Sequence, residues 1–135
     1  VRRLAHPERI RISPSGINDP AALSEFVASA DLGIAMYRPT YENEWVGRNI
    51  EHIGLASGKI ASYLQHGVPV AANELGEITD WIHYYGAGTI FALDRPFVPH
   101  PPAPAAADAC RKLFERHLDL DRFGPRFVEA VERAG

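Results

Sequence analysis

Three short runs in this chain carry almost no charge: "ADLGIAMY" (30–37), "VPVAA" (68–72) and "GAGTIFAL" (86–93). None leaves room for polar alternation, so each predicts a strand covered on both faces, as in a parallel sheet. Parallel neighbours cannot be joined by a tight hairpin; each pair needs a crossover of a dozen residues or more, usually a helix. The stretches between the runs have helical spacing, which predicts an α/β fold with right-handed crossovers.

The helices carry their own start and stop signals. Asn18 or Asp19 is placed to cap a first helix, Pro20 suits its first turn, and Leu23, Phe26, Val27 and Ala30 recur at helical spacing. A second is expected over Ser57–His66, with Ile60, Ala61 and Leu64 inward and Gly67 at a left-handed C′ position. A third is expected from Gly76 to Tyr85 around Ile78, Trp81 and Ile82. Upstream, "RIRIS" (Arg9 to Ser13) alternates as a strand does and "PSGIND" after it is turn chemistry, giving about four strands. The sixteen residues "RPTYENEWVGRNIEHI" look irregular, and loops that long are often functional. These elements define a Rossmann-like body over residues 1–94. Five prolines in "DRPFVPHPPAPA" predict an extended linker, assigned to 95–105, and helices over 106–117 and 121–134 make up a C-terminal segment, 106–135.

Composition narrows the function classes. Fourteen basic and seventeen acidic residues give a net charge of −3 without a long run of either sign, so nothing asks for nucleic acid. Cys110 is the single cysteine and cannot form an internal disulfide, which fits a reduced, cytoplasmic compartment. No apolar run reaches the roughly 20 residues that span a bilayer; peripheral membrane contact is neither demanded nor excluded. The histidines show no i, i+4 pairing, so no metal site is expected. Tyr63, Trp81, Tyr84 and Tyr85 are expected to pack rather than contact a cofactor.

Chemistry concentrates at "GLASGKIASYLQHGVPVAA" (54–72). A helix start presents unpaired amides and the positive end of the dipole, and in open α/β sheets it lies where ligands bind. Gly58 lets a phosphate approach the backbone, Ser57 offers a hydroxyl and Lys59 adds a positive charge. Taken alone, Ser-Gly at a helix start is more often only a cap.

The order of elements adds to this. "ADLGIAMYRP", a long loop, "GLASGKIASYLQHGVPVAANELGEITDWI" and "GAGTIFAL" together resemble the C-terminal donor-binding domain of GT-B glycosyltransferases of the family 4 type, over roughly residues 9 to 94. The resemblance implies a three-layer Rossmann-like sheet forming an incomplete half of a GT-B enzyme, with a missing N-terminal acceptor domain. Its implied function is binding a nucleotide diphosphate sugar for transfer, of hexosyltransferase type, with no cofactor besides the donor. Many members carry two glutamates spaced E-x7-E; those positions are Gly54 and Ser62 here, and Glu51 is out of register. Other branches begin this helix with Ser-x-Lys, which Ser57-Gly58-Lys59 matches.

The candidate substrate-binding residues are therefore Ser57, Gly58, Lys59 and Ser62, joined by Tyr37 and Arg38 at a strand end and Glu77 after the next strand. Tyr37 could stack on the nucleotide and Arg38 could grip phosphate; packing and solvation are the plain alternatives. Glu74 or Glu77 could bond sugar hydroxyls, or Glu77 and Asp80 could merely suit their own helix dipole. Glu42, Asn43, Glu44, Trp45, Arg48 and Asn49 supply polar groups in the loop without fixed spacing, and no catalytic residue is assigned. Apolar strands in a partial sheet also predict self-association or docking of the proline-rich tail. The competing reading is a non-catalytic α/β nucleotide-binding or protein-interaction module.

Overall fold

The computed structural model describes residues 16–38 and 50–134. The chain runs α1 (Pro20–Ala28), β1 (Gly33–Ala35), α2 (Ile50–Ile53), α3 (Gly58–Gln65), β2 (Val70–Ala72), α4 (Glu77–Tyr85), β3 (Gly88–Ile90), α5 (Ala106–His117) and α6 (Leu120–Ala134). The strands form one open parallel sheet in the order β1-β2-β3, with Gly33 opposite Val70 and Val70 opposite Gly88. The α/β class and the parallel sheet predicted from sequence are thus present. The fourth expected strand, Arg9 to Ser13, lies outside the described residues.

Because β1, β2 and β3 advance in one direction, crossovers of the same hand put α3 and α4 on the same face. α1 packs beside α3, and α5 packs against both α3 and α4. A Cβ at Gly33 would collide with the Tyr63 ring, most closely at Cδ2, so glycine lets α3 lie directly on β1. Ile60 and Leu64 of α3, Ile78 and Ile82 of α4, and Cys110 and Leu113 of α5 close the core over Val70 and Ala72. α5 belongs to that core, and Phe97 of the proline-rich stretch rests on Phe91 with ring centroids 4.8 Å apart.

Two expectations need correction. The run around β1 is not covered on both faces: Ile34, in register with Ala71 and Thr89, is 53% exposed and Met36 59%. Only β2, the central strand, is buried throughout, because it alone has a described neighbour on each side. The stretch expected to be irregular through Ile53 ends in helix α2, whose Ile50 and Ile53 pack on the core.

The caps follow the sequence. Asp19 accepts the Ala22 N–H at 2.7 Å ahead of Pro20, and Ser57 caps α3. Gly67 and Gly86 adopt φ of 74° and 69° where α3 and α4 end, the left-handed conformation that glycine takes without strain. Among the described residues no helix is long and apolar enough to cross a membrane.

Candidate functional site

The carboxyl ends of β1 and β2 are tied together by one buried side chain. Asn73 follows β2, is 4% exposed, and accepts the Tyr37 N–H at 2.8 Å while its Nδ2 donates to the Glu74 carbonyl at 3.1 Å. This fixes the turn leaving β1 and sets the Tyr37 ring over the start of α3. The Tyr37 hydroxyl lies 2.6 Å from Ser57 Oγ, and Lys59 Nζ sits 5.6 Å from the Tyr37 ring centroid, within cation–π range. Three sequence candidates, Tyr37, Ser57 and Lys59, therefore meet at one point.

Ser57 does more than the sequence suggested. It is buried, its Oγ accepts the Ile60 N–H at 3.2 Å, and its carbonyl accepts the Ala61 N–H at 3.0 Å. Tyr37 and Ser57 own two hydroxyl hydrogens between them, and their mutual bond uses one. The other has no acceptor among the described residues, whichever oxygen carries it. The Gly58 and Lys59 amides have no partner among the described residues, as expected for a helix's first turn. A Cβ at Gly58 would meet nothing within 4 Å, so the flank of the helix start is open there.

Ser62 lies one turn further along α3, half-buried, with its side chain in none of the hydrogen bonds among the described residues. It borders a largely apolar cavity of about 530 Å³ between α1 and α3, together with Phe26, Val27, Lys59 and Tyr63. Burial, and secondarily the neighbouring Tyr37, hold the Tyr63 phenol above its ordinary range. Arg38 is exposed and makes no hydrogen bond or ion pair among the described residues. At Gly54, where the resembled glycosyltransferases carry a glutamate, a Cβ would collide with the Ile78 side chain and lie 3.1 Å from Leu75 Cβ. An acid is absent there because α4 occupies the space.

Glu77 opens α4, a separate helix, and none of the described contacts joins it to Tyr37, Ser57 or Lys59. The nearby Glu74 is engaged at home: its Oε1 accepts the Gly76 N–H at 3.1 Å and the Thr79 hydroxyl at 2.5 Å. A smaller cavity of about 260 Å³ at the ends of β2 and β3 is lined by Ile50, Asn73, Glu74 and Phe91. The loop candidates Glu42, Asn43, Glu44, Trp45, Arg48 and Asn49, and the Glu51 side chain, lie outside what is described. No group of three or more His, Cys, Asp or Glu among the described residues could hold a metal ion.

Sequence reasoning missed Asn73 and Thr79, both polar and buried. The available signal was an amide immediately after an all-apolar strand, where a buried polar side chain must find partners. Cys110 is a packing residue: burial pushes its thiol up to about 11, and Sγ donates to the Ala87 carbonyl at 3.3 Å. Neither a family model, nor a curated protein, nor a solved structure matches this chain.

Proposed function

We propose that this chain is the donor-binding part of a GT-B-type glycosyltransferase and takes a nucleotide diphosphate sugar at the start of α3. The observation that carries the reading is the meeting of Tyr37, Ser57 and Lys59, where one hydroxyl hydrogen and two amides without a partner among the described residues stand beside an ammonium. Those donors are the complement of a diphosphate: amides along the dipole for one phosphate, a full positive charge for the other. Their position beyond the carboxyl ends of parallel strands agrees with where open α/β sheets bind ligands.

Within that reading the chain's own contribution to transfer is positioning and charge stabilisation. As the glycosidic bond to the diphosphate breaks, negative charge builds on the leaving oxygens, and fixed donors at α3 would stabilise it without reorganising. Tyr37 has a double part, sharing a hydrogen with Ser57 and holding Lys59 near its ring. Ser62 and the apolar cavity beside Lys59 offer the adjoining surface for the rest of the nucleotide.

Calorimetric titration of the chain with UDP, GDP and ADP tests the proposal. Saturable binding of at least one is expected. No binding of any would favour the non-catalytic interaction module instead.

A further inference from the structure

On the outer side of α4 and α5, away from the residues of the α3 site, Trp81, Tyr84, Tyr85, Lys112, Arg116 and His117 enclose a surface cavity of about 320 Å³. Its aromatic floor is held in place. The His117 imidazole stacks on the Trp81 indole with centroids 4.1 Å apart and planes 23° from parallel, and the Tyr85 hydroxyl lies 3.1 Å from His117 Nε2. Tyr84 stands edge-on to Tyr85 at 5.3 Å and is 83% exposed, an aromatic wall that packing does not explain.

Two cations form the rim. Lys112 and Arg116 are one turn apart on the same face of α5, an arrangement in which like charges repel. Arg116 lies in the last turn, where the helix dipole accounts for a cation; Lys112 lies a turn earlier and has no such account. Of the arginines of α5 and α6, Arg111 pairs with Asp108 and Arg133 with Glu129, while Arg122 donates to the Glu115 carbonyl and Arg126 has no acidic partner among the described residues. Lys112 and Arg116 make no ion pair among the described residues.

Flat aromatic faces beside unpaired cations match a ligand with an apolar flat side and a negative charge at its edge. A sugar ring presents C–H bonds along one face, and a phosphate or carboxylate on it supplies the charge. The volume is near the low end of small-molecule sites, about 300–1,000 Å³, and admits one ring rather than a chain of them. Nucleic acid is a poor match, because the cation pair is isolated on a chain of net charge −3. We propose that the α4–α5 surface is a second binding site, for a single sugar or cyclitol ring bearing a phosphate or carboxylate. Such a ring could arrive free or as a lipid headgroup, and the chemistry of recognition is shared.

The full chain carrying Trp45→Phe leaves Trp81 as the sole tryptophan and hence as reporter. Glucose 6-phosphate and glucuronate should quench its fluorescence saturably, with glucose and inorganic phosphate about tenfold weaker or more. Lys112→Gln with Arg116→Gln should weaken the charged rings about tenfold. The double variant should leave thermal melting and nucleoside diphosphate calorimetry unchanged, which separates this result from the fate of the α3 site. Cosedimentation with phosphatidylcholine vesicles containing phosphatidylinositol 4-phosphate, against vesicles of equal charge made with phosphatidylserine, distinguishes the sources. Preference for the phosphoinositide would assign a headgroup, and saturable free ligand without vesicle binding would assign a soluble one. The proposal is overturned by a double variant that binds as the parent does, or by the absence of saturable binding by any charged ring, free or on phosphoinositide vesicles.

Discussion

Two helices, α3 and α4, begin at the same edge of the same sheet, each directly downstream of a glycine or serine cap, and their electrostatics are opposite. At α4 the chain answers its own dipole: Glu77 and Asp80 stand in the first turn, and the Glu74 carboxylate accepts the Gly76 N–H and the Thr79 hydroxyl. At α3 no acid stands in the first turn, and Lys59 adds a positive charge where the dipole already is positive. An internal anion stabilises the first start; at the second none stands in the first turn, and under the proposed reading an anion from outside takes that place. On that reading the two positions differ in who supplies the negative charge.

The largest expected effect comes from the residue wedged between the two starts. Gly54→Glu, which places there the acid common in the resembled family, would drive a side chain into Leu75 and into Ile78 of α4. Overpacking of this kind should cost roughly 3 kcal/mol, read from urea denaturation. Unchanged stability would mean that Gly54 is not packed against Ile78 and Leu75 as described.

Next is the direct contrast of charges. In the proposed enzyme, Lys59→Ala should weaken nucleoside diphosphate binding about 10- to 100-fold with little effect on folding, since a lysine at a helix start opposes the dipole. Glu77→Ala should do the reverse, lowering stability by about 0.5 kcal/mol and changing affinity less than about twofold. Calorimetry and melting of both variants decide it, and a stronger binding defect from Glu77→Ala would invert the comparison.

A third test separates the hydroxyl of Tyr37 from its ring. Tyr37→Phe keeps the face that holds Lys59 and removes one of the two hydrogens shared with Ser57. The Ser57 hydroxyl still has its hydrogen for the ligand but loses the Tyr37 oxygen that positions it, and affinity should fall about 3- to 10-fold with a stability loss near 1 kcal/mol. If affinity is untouched while stability drops, the Tyr37–Ser57 bond belongs to the fold only.

The comparison also explains what could be read beforehand. Elements whose signal is local were legible: Asp19 ahead of Pro20, Ser57 three residues before Ile60, and Gly67 at a helix end each act through their own neighbours. Of the candidate site, the cluster at Ser57, Gly58 and Lys59 was legible because these residues are contiguous in sequence. Asn73 and Thr79 were missed because their roles depend on partners, Tyr37 and Glu74, that only the fold brings near. The exposure of Ile34 was illegible for a related reason. An apolar strand reads alike whether it is central or at an edge, and burial is decided by neighbours rather than by the strand itself.

The smallest expected effect is the most discriminating, and it concerns Gly58. Its φ is not in the left-handed region, so the backbone does not require glycine, and a Cβ there would project into open space. For folding alone, alanine should be the better residue in a helix, by up to about 1 kcal/mol. A glycine kept at that cost makes sense if a ligand needs the room. Gly58→Ala should therefore raise the melting temperature while weakening nucleoside diphosphate binding about 2- to 5-fold by steric contact with a phosphate at the open amides. Because no charge is removed, that defect should persist as salt is added, whereas the advantage of the parent over Lys59→Ala should shrink under screening. Calorimetry at low and high ionic strength reads both. A more stable Gly58→Ala that binds the nucleotide as well as the parent would reduce the α3 start to a capped helix with a solvated lysine.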